Sequence, residues 1–406
     1  MLGLTVNGAE SMLPRSAVAP MLGSSAAKAR RRPLKLCVLL PNHWSKYKGG
    51  SEYQAMVLVD YLLKEYDVQI TYLTTECDPE FVPPNYRLVR FSAKRGIRRY
   101  GLFFDLFRLY GALKREAPDV IYQQVASAHT GIAAFYAKRR KCRMVWRLAS
   151  DSDIAPGRSS WLQPHRIIER WFLRYGILNA DVIAAQTKHQ QRLLADRFGR
   201  SDTVVVRNFH PAPTAPVVNA AGSKRTIVWI GNIKPLKGPE VFIRLAARFA
   251  QRVDVEFVMI GAPMGKESWL AEISSMSAAL PNFRRLGELS QDEVNAVLCH
   301  SYALVNTSDY EGFSNTFIQS WMRGVPVVSL AVNPDGLFDA QGIGLVSGSE
   351  QQLYADISKL LDDPDLVRAM GQRARAFALQ EFSENNIGHI AQMLGLEQRG
   401  ELTCAE

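Results

Sequence analysis

Short apolar runs alternate with helix-patterned segments twice along this chain, and the alternation breaks only once. In the first half the runs fall at 36–40, 68–73, 120–122, 144–148 and 182–185, with a last short one at 204–206. Amphipathic stretches such as 51–64 separate them. A run that is apolar on both sides must be covered on both faces, and helices between such runs dictate a parallel sheet. Residues 208–223 carry Pro211, Pro213 and Pro216 and read as a linker. Beyond it the rhythm restarts, with strands predicted at 226–230, 255–260, 283–286, 303–306 and 325–330. Helices are predicted between them at 239–251, 266–280, 291–300 and 315–323. The expectation is an α/β chain of two Rossmann-like, doubly wound domains, 34–213 and 214–379. Their ligands would bind at the carboxyl ends of the strands, across a central cleft.

The 406 residues, 47% hydrophobic and 22% charged, supply two buried cores. No apolar run reaches the roughly 18–20 residues that a membrane-spanning helix needs. Five scattered cysteines (Cys37, Cys77, Cys142, Cys299, Cys404) without metal-type spacing point to a reducing, cytoplasmic compartment. Residues 1–33, rich in Ala, Ser and Gly and ending in a basic run, are expected to form a disordered leader. Charge is uneven: residues 1–207 hold 33 Lys and Arg against 17 Asp and Glu, whereas the remainder is net acidic. The basic half should favour an anionic surface. A nucleic-acid module is not recognisable, so no nucleic-acid partner is expected.

The stretch SDYEGFSNTFIQSWMRGVPVV, 308–328, is a strand end, a glycine-bearing loop, a short helix and a new strand. Ser314 is placed as the helix N-cap, so that the amides of Asn315, Thr316 and Phe317 point out of the helix start, where a diphosphate would bind. Glu311 stands before that start, positioned to accept hydrogen bonds from hydroxyls. Gln319 lies about one turn inside. A plain strand–loop–helix connection is the competing reading of the same residues.

The segment resembles the donor-site signature of the retaining glycosyltransferases of family 4 (glycosyltransferase group 1), with the GT-B fold. Their pattern has two glutamates eight positions apart, E-G-F then a distant E, followed by G-x-P-V-V. Glu311, Gly312, Phe313, Gly324, Pro326, Val327 and Val328 match it, and Gln319 replaces the second glutamate. The resemblance implies that Glu311 contacts the donor sugar and that position 319 holds the nucleotide ribose, through an amide here. It also implies a metal-independent, hexosyltransferase-like enzyme without a cofactor, whose co-substrate is a nucleoside-diphosphate sugar of UDP or GDP type. Retention in this family is attributed to front-face attack, with the leaving phosphate helping to deprotonate the acceptor.

Two further matches extend the resemblance. WIGNIKPLKG keeps Gly231, Lys237 and Gly238 of the family's phosphate loop, with Asn232 where an arginine stands and Lys234 able to share the phosphate charge. KYKGGSEYQA places Gly49 and Gly50 after the first strand, where a backbone can approach phosphate, with Ser51 as the expected N-cap of the following helix. The resemblance also points to Gly261, Leu286 and Gly287 as cleft and base-binding positions. For acid–base work, RLASDSD has Ala149 where many relatives carry histidine, which leaves Asp151, Asp153 and His129 as candidates. The DSD letters are not read as a metal site, and a final helix within 380–400 is expected to cross back onto the first domain.

The segment 97–115 carries Phe103, Leu106, Phe107, Tyr110 and Leu113 at helical spacing among basic residues that include Lys94, Arg95, Arg98 and Arg99. It reads either as a core helix with solvated basic ends or as an interfacial helix on anionic lipid. The expectation is a retaining transferase acting on a saccharide or lipid-linked acceptor in polysaccharide or glycolipid biosynthesis, peripheral at the inner face of the plasma membrane. A nucleotide-sugar epimerase and a non-catalytic binding relative are the competing classes.

Overall fold

A computed structural model describes residues 32–92, 101–154, 164–213 and 224–399. The leader expected at 1–33 lies outside these residues up to position 31, as do Lys94, Arg95, Arg98, Arg99 and the linker from 214 to 223.

The first sheet comprises β1 (Leu34–Leu39), β2 (Val68–Thr74), β3 (Arg87–Arg90), β4 (Val120–Gln124), β5 (Arg143–Arg147), β6 (Val182–Ala185) and β7 (Val204–Val205). Its order is β3-β2-β1-β4-β5-β6-β7, and every pairing is parallel. Helices α1 (Gly50–Glu65), α2 (Gly101–Glu116), α3 (Ala128–Arg140), α4 (Pro164–Asn179) and α5 (Lys188–Phe198) connect the strands. The continuous apolar run at β1 has a direct cause. Leu34, Leu36 and Val38 enter one core with α1, while Cys37 and Leu39 enter the opposite core with α2, α3 and α4.

The second sheet comprises β8 (Arg225–Ile230), β9 (Val255–Ile260), β10 (Phe283–Gly287), β11 (Ser301–Asn306), β12 (Val327–Ser329) and β13 (Gly344–Val346). Its order, β10-β9-β8-β11-β12-β13, repeats the topology of the first sheet, again all parallel. Helices α6 (Pro239–Arg248), α7 (Glu267–Ala278), α8 (Gln291–Cys299), α9 (Asn315–Met322), α10 (Leu337–Gln341), α11 (Glu350–Asp362) and α12 (Pro364–Glu381) cover it. The last helix, α13 (Asn385–Leu394), buries Ile387, Ile390, Ala391 and Leu394 in the core that α1 and β1 share.

Two strands escaped the sequence reading. β3 (RLVR) and β13 (GLV) are edge strands, so neither needs the two-sided apolar run that marks a central one. The expected N-cap of α1 also moves: the helix begins at Gly50 with Gly49 as its cap, and Ser51 lies inside the first turn.

Candidate functional site

In both sheets the winding direction reverses beside the first strand, between β1 and β4 and between β8 and β11. Loops leaving those strand ends diverge there and open a crevice. The two crevices face each other around one cavity of about 460 Å³. From the first sheet it is lined by Gly49 to Gln54, Gln124, Ala149, Ser150, Ser152, Gln186 and Asn208. From the second come Gly231, Asn232, Lys234, Lys237, Gly261, Glu288, Leu289, Gln291 and the run from Tyr310 to Thr316, with Gln319.

At its centre Lys237 Nζ forms an ion pair with Glu311 Oε1, which also accepts from Ser308 Oγ at 2.9 Å. Both side chains are largely buried. The lysine is held from behind. Thr307 Oγ1 donates to its carbonyl at 2.7 Å, and the buried Trp229 indole donates to that hydroxyl at 2.9 Å. The chain turns at Gly238 with φ of 56°, and a Cβ there would stand 2.6 Å from the Thr307 carbonyl. An acid and a base paired inside a cleft, each able to exchange the other for a ligand's hydroxyls or phosphates, are suited to an anionic polyol.

Below this pair, α9 begins at Asn315. Ser314 occupies the N-cap position as expected, but its hydroxyl pairs with Thr316 Oγ1 at 2.9 Å and makes no side-chain cap. The uncapped start carries the positive end of the helix dipole into the cavity. Gln319 lines the cavity one turn on, and its Nε2 donates to Gln291 Oε1 at 2.6 Å and Asn295 Oδ1 at 3.2 Å. Gly261, with φ of 152°, lets the β9 loop cross the Gly231 carbonyl, which a Cβ would approach to 1.8 Å.

Asn315 joins the two units. Its Nδ2 donates to the Gly50 carbonyl at 2.9 Å, and its Oδ1 accepts from Gln54 at 3.2 Å, Asn208 at 3.1 Å and His210 at 3.4 Å. The Phe313 amide donates to Gln186 Oε1 at 3.2 Å, and Asn208 Nδ2 donates to the Phe313 carbonyl at 3.1 Å. At the rim, Asp335 accepts from the amides of Lys188 and His189 at 2.8 and 3.0 Å, so a carboxylate of the second unit sits on the α5 start of the first.

Five of the residues named from the sequence for acid–base work or base binding do not line the cavity; among them Asp153 turns its carboxylate back to accept from the amides of Ala149 and Ser150 at 2.7 and 3.2 Å. His129 is buried beside α3's start, edge-on to Phe91 at 5.3 Å, and burial pushes its imidazole down to about 4. Asp151 turns away to accept from Gln190 Nε2 at 2.8 Å, leaving its neighbours Ser150 and Ser152 at the wall; burial raises its carboxyl. Leu286 packs against the second core, and Gly287 holds the Gly261 amide with its carbonyl at 2.7 Å. The wall passes instead to Glu288 and Leu289, because β10 runs one residue beyond its last apolar position.

The sequence reading also missed residues. Glu52, in the first turn of α1, lines the cavity while its body is buried, and burial raises its carboxyl. Gln124, Gln186 and Asn208 are buried amides at strand ends, where polar residues inside apolar runs were the available signal. Arg147 is fully buried at the end of β5, donates to Asn208 Oδ1 at 2.8 Å and covers the Phe209 ring at 5.0 Å. It thereby fixes the chain passing between the two units. Among the described residues no group of three or more His, Cys, Asp or Glu gathers in a way that could hold a metal ion.

Comparison with known proteins agrees with this geometry. Residues 49–208 match the family model "Glycosyl transferase 4-like domain", and residues 224–363 match "Glycosyl transferases group 1". The D-inositol 3-phosphate glycosyltransferase of Salinispora arenicola is 26% identical over 251 residues, covering 54% of this chain and 55% of that protein. The chain thus spans about half the length of the curated relatives it matches. Sucrose-phosphate synthase from Thermosynechococcus elongatus superposes with a TM-score of 0.71 at 15% identity, over 89% of this chain and 99% of that one. HepE from Anabaena, solved in complex with UDP and glucose, gives 0.70 at 17% identity with the same coverage. The fold is GT-B. The chain belongs to the group 1, family 4-type glycosyltransferases.

Proposed function

We propose that this chain transfers a hexose-type sugar, with retention, from a nucleoside-diphosphate sugar of UDP or GDP type to a saccharide or lipid-linked acceptor. The reading includes a role in polysaccharide or glycolipid biosynthesis and a cytoplasmic position at the inner face of the plasma membrane. It also includes the division into units 34–213 and 214–379, with 380–400 returned to the first. The observation that carries it is the Lys237–Glu311 pair set over the open start of α9.

In this reading the donor diphosphate takes Lys237 and the α9 amides as partners, with Lys234 beside them, while Glu311 is released to accept from the sugar hydroxyls. Those positive groups stabilise the charge that grows on the diphosphate as its bond to the sugar breaks. A phosphate oxygen takes the proton of the attacking acceptor hydroxyl on the same face, so no side-chain base is required. Gln319 receives the ribose hydroxyls, and Glu288 and Leu289 border the base. Glu52, Gln124 and Ser150 offer the acceptor its wall.

A thermal-shift comparison of UDP, GDP, ADP and dTDP tests the reading, because a ligand of the native state raises the melting point by linkage. One nucleotide should raise it, and Lys237→Met should abolish the shift without lowering the ligand-free melting temperature by more than a few degrees. With the matching nucleotide sugar, Glu311→Ala should retain nucleotide binding and lose transfer. No shift from any of the four nucleotides would overturn the proposal.

A further inference from the structure

The first unit presents an outer face built from α2, α3 and α4 that the transfer chemistry leaves unused. These helices cover one side of the first sheet, with Leu106, Leu109, Ala133 and Ile177 facing inward. Outward they expose large apolar side chains. On α4, Trp171 is 62% exposed, with Ile167, Ile168 and Leu178 between 43% and 49%. On α2, Phe107 is 63% exposed. The helices are held rigidly for this display. A Cβ on Gly131 of α3 would stand 2.2 Å from the Phe172 carbonyl of α4, so the two backbones touch.

Charge surrounds these residues with one sign. The three helices carry nine Lys and Arg against three Asp and Glu. Of those acids, Asp105 is engaged by Arg108 and Ser92, and Glu116 pairs with Arg87. Glu169 is half-buried. Lys138, Arg139, Arg140 and Lys141 are all exposed at the end of α3. Separate aromatic and aliphatic protrusions within a basic field match an anionic bilayer surface. Headgroups take the cations, and Trp and Ile enter the acyl boundary. A nucleic-acid backbone would use the charge but offers nothing to Ile167, Ile168 and Leu178.

We infer that the α2–α3–α4 face docks this protein on anionic lipid, with the α4 stripe around Trp171 inserted. The face adjoins the cavity wall through α3, whose first residue, Ala128, follows the lining residue Gln124 by four positions. A lipid-linked acceptor held in the same surface would therefore reach the first-unit side of the cavity. That use rests on the transferase reading, whereas the docking itself is measured independently of it.

The test is co-sedimentation of the full chain with phosphatidylcholine vesicles containing or lacking 30% phosphatidylglycerol, at low salt and at high salt. Binding should require phosphatidylglycerol and fall steeply with salt. The double variant Ile168→Ser, Trp171→Ser should weaken it roughly tenfold or more, while melting temperature and nucleotide-induced shift stay unchanged. Absence of binding at low salt, equal binding to both vesicles, or full binding by the double variant would each overturn the inference. So would concentration-dependent self-association that the double variant abolishes, found without vesicle binding, since the face would then be a protein interface. Vesicle binding without any nucleotide shift would instead count against the proposed transfer and leave the docking intact.

Discussion

Asn315 concentrates the contact between the two units in one side chain, so its removal should open the cleft without melting either core. Asn315→Ala deletes four polar contacts. Two of the abandoned donors keep another acceptor: Gln54 still reaches the Phe209 carbonyl at 2.8 Å, and Asn208 still reaches that of Phe313 at 3.1 Å. His210 is different. It is 3% exposed, and its Nε2 makes its hydrogen bond to Asn315. Orphaning a buried donor costs about 2 kcal/mol, and losing the bond to Gly50 costs about 1 kcal/mol more. A total of about 3 kcal/mol shifts the closed-to-open ratio by a factor on the order of a hundred. The Phe313 amide reports it directly, because its acceptor, Gln186 Oε1, belongs to the opposite unit. Site-resolved hydrogen exchange should show that amide exchanging roughly a hundredfold faster in Asn315→Ala, with the amides of β1 and β8 unaffected. In a His210→Ala background no imidazole is left to orphan, and the effect of the same substitution should shrink to roughly fivefold. A Phe313 rate within threefold of wild type, or equal effects in both backgrounds, would refute the reasoning.

Acid should destabilise the fold well before its carboxylates titrate. Burial holds the imidazoles of His43 and His129 at about 4 and that of His210 at about 3, so all three are neutral in the native state. The unfolded chain takes up those protons near pH 6.5, so stability is lost as pH falls below that value, by up to about 1.4 kcal/mol per pH unit for each histidine. The raised carboxyls of Glu52, Asp151 and Asp153 act in the opposite sense, but only near ordinary carboxylate pH, so a urea midpoint that stayed level from pH 7 to 5 would contradict the assignment. Asp335→Ala should cost about 1 kcal/mol at the α5 start and speed exchange of the Lys188 and His189 amides about fivefold, without altering α5 beyond its first turn. Gly261→Ala should destabilise by about 3 kcal/mol or more and abolish any nucleotide-induced shift, since the backbone is left-handed there and the methyl would meet a carbonyl at 1.8 Å. Gly199→Ala, left-handed but facing open space, should cost only about 1 kcal/mol, and equal melting points for the two variants would show that the contact does not matter.

The architecture was legible because burial on both faces of a parallel sheet leaves an unbroken apolar run, which is a local signal. Every central strand announced itself in this way, while the edge strands β3 and β13, covered less fully, did not. The second unit's half of the cavity was legible for a similar reason. Gly231, Lys237, Gly261 and the run from Glu311 to Thr316 follow strand ends within ten residues, and strand ends in this topology face the cleft. The roles that depend on distant neighbours were not legible. His129 stands at the end of a strand–helix connection like the others, yet Phe91 closes over it. Asp151 is drawn aside by Gln190, thirty-nine residues further on. Glu52 looks like an ordinary first-turn acid until the fold sets it against Asn42 and the cavity. Spacing along the chain therefore determined which segments become strands, helices and cavity-facing loops. Packing between segments far apart in sequence decided which side chains reach the cavity, which are sealed beneath it, and that Asn315 holds both units around it, because hydrogen-bond partners and burial are properties of the assembled surface.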